Sequence, residues 1–167
     1  NSCDTHAPTP AQNRRNTPST AAELLELAGY IDHPLIGVCW DTGHANIQGV
    51  DQYQSLVELG PALRGLHIAD NYGDVDSHVA PLQGTTNMDA VMQGLIDSGY
   101  QGWFTFEASH ILRNSGAWPN YRREWSYHGA PVTRLMNVPR ELKRQAVALL
   151  YQIGQHFLTT YGCFEEA

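Results

Sequence analysis

The chain has 167 residues, of which 42% are hydrophobic and 16% are charged, and the absence of any apolar run long enough to span a bilayer predicts a soluble globular domain without a membrane span. A formal net charge of -7 argues against binding to nucleic-acid phosphates, which requires a basic surface, and favours a small-molecule substrate. The three cysteines are widely spaced and form no CxxC pair, which is typical of reduced thiols and predicts a cytoplasmic location.

The first predicted elements follow an irregular, proline-containing segment at residues 1–18. Thr20 with Glu23 three residues later is a capping-box pattern, and apolar residues at helical spacing predict a helix that continues to about Tyr30. The continuous apolar run LIGVCWD, residues 35–41, then predicts a strand that is buried on both faces of a parallel sheet.

The rest of the chain repeats this order of helix and strand. Asp51 and Asn87 are suited to cap two further helices, and Pro139 is suited to begin a last one. Apolar and β-branched runs between these helices predict two more strands. The predicted helices are residues 52–59, 88–97 and 139–158, and the predicted strands are LRGLHIAD, residues 63–70, and QGWFTFEAS, residues 101–109.

Alternating helices and buried strands predict parallel strands joined by right-handed crossovers, in a doubly wound sheet or in a (β/α)8 barrel. Three strands close neither architecture, and a barrel usually takes about 250 residues. We therefore predict an α/β fold in which residues 1–167 form a single partial barrel domain. Its parts are an irregular loop at 1–18, core βα units at 19–108, a long loop at 109–137 and a C-terminal helix at 138–161.

Each predicted strand carries a side chain suited to metal binding near its carboxyl end. Asp41 ends the first strand with His44 just beyond, His67 lies near the end of the second with Asp70 beyond, and Glu107 ends the third. Carboxyl ends of parallel strands meet at one edge, so these side chains are expected to converge. Mixed carboxylate and imidazole ligands suit Mn²⁺, Mg²⁺, Co²⁺ or Zn²⁺. The more specific interpretation is a divalent metal site. The alternative is that each residue is an ordinary polar group at a strand end.

Four motifs in the first two thirds of the chain resemble the sugar phosphate isomerase/epimerase superfamily, the xylose isomerase-like TIM barrels that also include endonuclease IV. The resemblance runs from about Ser19 to Ala108 and implies that the strands are the sixth, seventh and eighth of a (β/α)8 TIM barrel, so that the chain is its C-terminal portion. The motifs are WDTGHA, LHIADN, DVDSHVAPLQGTTNMDAVMQGL and SGYQGWFTFEA.

The resemblance also implies roles for individual residues. Asp41, His67 and Glu107 match the family's metal ligands, and His44 is similar to a histidine that contacts a substrate oxygen. The family's fourth ligand is a Glu at the end of the fifth strand, often followed by Asn, so Asn1 suggests that this Glu lies just upstream. The implied activity is a divalent-metal-dependent isomerase or epimerase of a sugar or sugar phosphate. In it Glu107 acts as both ligand and base on the way to an enediolate.

Two other functions stay open at this point. Asp76 and His78 form a D-x-H unit that, in endonuclease IV-like relatives, completes a multinuclear zinc cluster together with the His44 counterpart. This would favour a zinc-dependent phosphodiesterase, although a polar loop of this kind is also simply solvated in many proteins. The third class is a non-catalytic barrel fragment that lacks the fifth-strand Glu.

The loop at 109–137 carries aromatic and Arg side chains that either cover a sugar or form an ordinary packed extension. The sequence also leaves open whether the protein forms a homo-oligomer.

Overall fold

The computed structural model describes residues 18–108 and 138–163. These residues form helices packed around a short parallel sheet. Every helix in the described ranges is too short or too polar to cross a membrane. The elements in chain order are α1 (Ala21–Ile31), β1 (Val38–Asp41), α2 (Thr42–Gln48), α3 (Gln52–Leu59), a 3-10 turn (Gly60–Ala62), β2 (Leu63–His67), α4 (Met88–Asp97) and α5 (Arg140–Thr160).

The helices begin where their capping residues predict. At α1 the Thr20 hydroxyl accepts the Glu23 N–H at 3.3 Å, and the Glu23 carboxylate accepts the Thr20 N–H at 3.3 Å. Asp51 and Asn87 accept backbone N–H groups in the first turns of α3 and α4 at 2.9 and 3.0 Å. Each cap satisfies a backbone donor that has no partner inside the helix. The predicted starts of these helices are confirmed.

One helix, α2, was not predicted from the sequence. It has seven residues, TGHANIQ, begins at the Asp41 cap and ends at Gly49, whose φ is 65°. Gly43 and Asn46 have low helix propensity, so periodicity and composition gave no signal for so short a helix. As a consequence His44 lies in the first turn of a helix rather than in a loop.

β1 and β2 pair in parallel, with a register shift between Val38 and Cys39. The shift skips one residue of β2, and it therefore brings the last residues of the two strands opposite each other. The partners are Val38 with Leu63, Cys39 with Gly65, Trp40 with Leu66 and Asp41 with His67.

The predicted third strand at 101–109 is wrong as a continuous strand. Ile68 and Phe106 form a single parallel bridge. The Ile68 N–H donates to the Thr105 carbonyl oxygen at 2.8 Å, and the Ile68 carbonyl oxygen accepts the Glu107 N–H at 2.9 Å. The next bond of such a ladder would use the Asp70 N–H, but this group donates to the Val79 carbonyl oxygen at 3.1 Å. The second predicted strand is also shorter, because β2 ends at His67.

The hydrophobic core lies between the sheet and the helices. Val38 and Trp40 of β1 face this core at 4% and 2% exposure, together with Leu66 of β2. The alternation of side chains along a strand places Cys39 and Asp41 on the opposite face. Burial of each large apolar side chain contributes about 1.5–3 kcal/mol. One face of the sheet therefore stabilises the fold, and the other face is available for chemistry.

Candidate metal centre

Three predicted ligands meet at the carboxyl ends of the strands. We refer to Asp41, His67 and Glu107 as the first ligand group. One ligand atom of each lies within 4.8 Å of the others. His67 Nδ1 is 2.8 Å from Glu107 Oε2 and 3.8 Å from Asp41 Oδ2. The geometry follows from the register, which pairs Asp41 with His67, and from the backbone bond that ties Glu107 beside Ile68.

Asp41 has two different oxygen atoms. Its Oδ1 accepts the backbone N–H of His44 at 2.9 Å and so caps α2. Its Oδ2 is buried and accepts no hydrogen bond from the residues that the structure describes. A buried carboxylate oxygen without a hydrogen bond is costly, and coordination of a cation is one way to satisfy it. The Asp41 side chain therefore fits a site in which Oδ2 binds a metal ion.

Glu107 is the most accessible carboxylate of the first ligand group, with 41% of its side chain exposed. Burial is the largest influence on the pKa of Glu107 and raises it. The His67 ring lowers the pKa and the Asp41 charge raises it, and the net pKa lies above the usual value for a glutamate. A carboxylate with a raised pKa is a stronger base, and its exposure leaves it open to a substrate.

A second ligand group, formed by His44, Asp76 and His78, lies beside the first. Its ligand atoms also lie within 4.8 Å of one another. Asp76 Oδ2 is 3.1 Å from His44 Nε2 and 2.8 Å from His78 Nε2. Asp76 Oδ1 is buried and accepts no hydrogen bond from the described part of the chain. The nitrogen and oxygen donors of this group fit a divalent cation such as Zn²⁺.

Without a bound ion, the imidazole rings of the second ligand group favour protons. Burial lowers the pKa of His78, but its hydrogen bond with Asp76 and the nearby carboxylate charges outweigh burial and raise the pKa to about 9. Burial also lowers the pKa of His44, but the hydrogen bond with Asp76 and the nearby carboxylate charges outweigh burial and raise the pKa. Burial raises the pKa of Asp76, but the hydrogen bonds to the two rings dominate and hold it well below its usual value. The group is therefore a compact ion cluster in which a cation would replace protons.

His44 connects the two ligand groups. Its Nδ1 lies 3.5 Å from Asp41 Oδ2, and its Nε2 lies 3.1 Å from Asp76 Oδ2. His78 makes a second connection, because its Nδ1 donates to the Glu107 carbonyl oxygen at 2.8 Å. All six candidate residues named in the sequence analysis thus form one continuous constellation, and their roles as ligands or catalysts stay predictions.

Thr42 supports this constellation and had no signal in the sequence. Its hydroxyl donates to the Ala69 carbonyl oxygen at 2.7 Å and accepts the Ala69 N–H at 3.0 Å. The bonds tie the residue after Asp41 to the chain just beyond His67. A threonine after a strand is common, so its partner could not be inferred from composition or spacing. The predicted aromatic and Arg cover at 109–137 lies outside the described residues.

The paired strand ends, the face opposite the core and the clustered ligands are features of a barrel enzyme's active-site edge. Residues 5–126 match the family described as xylose isomerase-like TIM barrel. The match extends over more than half of the chain, so this protein belongs to the xylose isomerase-like TIM barrel family. The resemblance carried by the four sequence motifs is confirmed.

Similar proteins include epimerases and a dehydratase. Fructoselysine 3-epimerase of Escherichia coli O157:H7 is 27% identical over 132 residues, which cover 79% of this chain and 40% of the epimerase. Inosose dehydratase of Bacillus thuringiensis (strain Al Hakam) is 27% identical over 106 residues, which cover 53% of this chain and 36% of the dehydratase. This chain therefore spans about two fifths or less of the length of these relatives.

A solved structure supports the fold. The crystal structure of D-psicose 3-epimerase with D-tagatose from Clostridium cellulolyticum H10 matches this chain with a TM-score of 0.65 at 19% identity. The match covers 84% of this chain and 44% of the psicose epimerase chain. At this identity the likeness establishes a shared fold.

Proposed function

We propose that the protein is an isomerase or epimerase of a sugar or sugar phosphate that uses a divalent metal ion. The observation that carries this proposal is the first ligand group. Asp41 and His67 at the carboxyl ends of β1 and β2, with Glu107 next to the Ile68–Phe106 bridge, place two carboxylates and an imidazole within 4.8 Å. Family membership and the fructoselysine 3-epimerase relative favour a sugar substrate. We also propose, from the motif resemblance, that β1, β2 and the segment around Phe106 are the sixth to eighth strands of the barrel.

The proposed ion would be held by Asp41 Oδ2, His67 Nδ1 and Glu107 Oε2. When bound, a divalent cation supplies Lewis-acid polarisation of a ketose carbonyl, which lowers the cost of removing the proton on the neighbouring carbon. Mn²⁺, Mg²⁺, Co²⁺ and Zn²⁺ all accept such a donor set. The burial of Asp41 Oδ2, and its lack of a hydrogen bond from the described residues, support its assignment as a ligand atom.

Glu107 is the proposed base. Its side chain is accessible, and its raised pKa increases its affinity for the substrate proton. Removal of a C–H proton next to a carbonyl transfers the proton to a Glu107 oxygen and leaves an enediolate anion on the sugar. Return of a proton to the opposite face gives the epimer, and return to the neighbouring carbon gives the isomer. The similar proteins include an inosose dehydratase as well as epimerases.

His44 is the proposed donor to the developing negative charge. Its ring lies between Asp41 and Asp76, and its pKa is raised above the usual value despite burial. A protonated imidazole at this place can donate to a substrate oxygen when the oxygen becomes anionic. Asp76 and His78 would then hold the His44 ring in place through the Asp76 carboxylate.

Exchange of a substrate proton for solvent deuterium tests this function directly. One base that removes a proton and returns a deuteron to the same face exchanges the label without a second acid. We expect the chain with Mn²⁺ to incorporate deuterium from D₂O at C3 of D-psicose or D-tagatose, detected by NMR, and to lose this activity when EDTA is added. The isomerase proposal would be refuted if proton exchange is no faster than in the protein-free control for every member of a panel of ketoses and ketose phosphates.

A second candidate function is favoured by one observation, the second ligand group. If His44, Asp76 and His78 hold their own ion, the site contains more than one metal, as expected of a zinc-dependent phosphodiesterase. Metal content separates the candidates. One ion per chain favours the isomerase, and two or three ions together with zinc-dependent hydrolysis of bis(p-nitrophenyl) phosphate favour the phosphodiesterase.

A further inference from the structure

Asp70 is a buried carboxylate that no step of the proposed reaction uses. It is 1% exposed and lies beyond the end of β2. Its oxygens accept the backbone N–H groups of Gly84 at 2.8 Å, Asn71 at 2.9 Å and Thr86 at 3.0 Å. A buried charge is tolerated when several backbone donors surround it, so the Asp70 carboxylate has the environment of a structural anchor.

The anchor fixes the loop of residues 71–86, which carries Asp76 and His78. The backbone of Asp70 pairs with Val79, immediately after His78, through hydrogen bonds of 2.9 and 3.1 Å. Its carboxylate then holds the far end of the loop at Gly84 and Thr86. A side chain at position 84 would overlap both the Asp70 carboxylate and the backbone after it, so glycine is required for this close approach.

Asn71 performs the corresponding task for the helix that carries His44. It is fully buried, and its side-chain amide donates to the Gly43 carbonyl oxygen at 2.7 Å. Its side-chain oxygen accepts from the Asn46 amide at 2.8 Å. Gly43 and Asn46 lie on either side of His44 in α2, so Asn71 holds the helix at two points around the histidine.

We propose that Asp70 and Asn71 are the positioning residues of the second ligand group. Asp70 fixes the loop that supplies Asp76 and His78, and Asn71 fixes the helix that supplies His44. The backbone of His78 supports this assignment, because its φ of 44° lies in the left-handed region that non-glycine residues rarely adopt. Such a conformation persists where surrounding contacts over-determine it, and the Val79 pairing beside it is one such contact. Measurement of zinc binding rests on the proposed function, in which this group holds a cation. The positioning role of Asp70 and Asn71 does not depend on a bound cation.

The variant Asp70→Asn tests the anchor. The amide keeps the shape of the side chain but replaces an acceptor oxygen by a donor, which opposes the N–H of Gly84 or Thr86. We expect the ring ¹⁵N and ¹H resonances of His78 to shift and broaden in the metal-free chain, and those of His67 to stay in place. Amide hydrogen exchange at residues 84 and 86 should accelerate at least tenfold. Asp97→Asn is the matched control, because Asp97 is an exposed acceptor in the last turn of α4 and its bonds are to side chains outside the loop.

Zinc titration of the same variants, followed through the ring resonances of His67 and His78, measures each ligand group separately. Loss of an outer partner of a metal ligand typically weakens binding about 10–100-fold. We expect this loss at the second ligand group in Asp70→Asn, with less than about threefold change at the first. Unchanged His78 resonances together with unchanged zinc affinity would overturn the proposal. An equal loss of zinc affinity at both ligand groups would also overturn it, because such a loss indicates a general structural role.

Asn46→Ala tests the Asn71 part and gives a second route if Asp70→Asn fails to fold. Asn46 is half-buried on a short helix, so its truncation is expected to keep the fold. The ring resonances of His44 should shift more than those of His78, and a change confined to His78 would refute the assignment of Asn71. If the unmodified chain binds no zinc at the second ligand group, the phosphodiesterase function is refuted. The ring resonances of the metal-free variants still test whether Asp70 and Asn71 position this group.

Discussion

The hydroxyl of Thr42 bonds both backbone groups of Ala69, which is 27 residues away in the sequence. Both residues are 0% exposed. This pair joins the chain beyond β1 to the chain beyond β2, one residue after Asp41 and two after His67. The spacing of the first ligand group therefore depends on a hydrogen-bonded side chain as well as on the strand pairing.

Replacement of Thr42 by valine should destabilise the fold strongly. Valine has almost the same shape but leaves the buried N–H and carbonyl of Ala69 without partners, which we expect to cost about 2–4 kcal/mol. Thr42→Ser is the control, because it keeps the hydroxyl and loses a single methyl group at a cost of about 1 kcal/mol. Urea unfolding of the three proteins measures the difference. Equal stability of the valine and serine variants would show that the Thr42 hydrogen bonds contribute little.

Asp41→Asn should separate the ligand role of Asp41 from its capping role. Asparagine is as good an N-cap as aspartate, so the bond to the His44 N–H is preserved and α2 is expected to remain. The neutral amide is a poor metal ligand, and we expect Mn²⁺ affinity by calorimetry to fall at least tenfold. Asp51→Asn, the same change at the cap of α3, should leave the affinity unaltered. Equal Mn²⁺ affinity in both variants would exclude Asp41 from the metal site.

Glu107→Gln should keep the fold and abolish proton transfer. The side chain is 41% exposed, so the loss of its charge has little effect on packing. An amide cannot act as a base, and loss of general-base catalysis typically lowers the rate by about 10²–10⁴-fold. The measurement is deuterium incorporation into the ketose in the presence of Mn²⁺. Glu58→Gln, an exposed change on α3, is the control, and retention of exchange in Glu107→Gln would remove Glu107 from the mechanism.

Gly154→Ala should destabilise α5, although alanine is normally the better helix residue. A Cβ at position 154 would lie 2.9 and 3.1 Å from ring carbons of Phe106, the neighbour of Glu107. We expect a net cost of about 1–3 kcal/mol from this overpacking. Gly29→Ala in α1 has open space around its Cβ and should instead stabilise by about 0.5–1 kcal/mol. Thermal unfolding compares the two, and stabilisation by both changes would show that Phe106 moves aside freely.

Local signals in the sequence predicted the starts of α1, α3 and α4. Thr20, Asp51 and Asn87 act within three residues of themselves, so their capping roles are visible without the fold. The side-chain types at the strand ends likewise predicted the convergence of the first ligand group, because parallel strands place their carboxyl ends together.

Contacts between distant residues were not predictable in the same way. The bonds of Thr42 to Ala69 and of Asn71 to Gly43 join segments 27 and 28 residues apart, and the same side chains at another surface would be ordinary polar residues. The predicted strand at 101–109 failed for a related reason. Its aromatic and β-branched composition favours a strand, but the backbone donor of Asp70 that a longer ladder would need is already used by Val79.

The register shift in the sheet has a consequence for how this site can change during evolution. If the pairing of Val38 with Leu63 continued without the shift, Asp41 would stand opposite Leu66, whose side chain is 2% exposed in the core. Insertion of one residue into β2 after Leu63, with the shift kept, would likewise place a leucine instead of an imidazole opposite Asp41 and move core side chains to the ligand face. Deletion of Arg64, the residue that the shift skips, would keep Asp41 opposite His67. An insertion beyond the shift in one strand, by contrast, requires a compensating insertion in its neighbour.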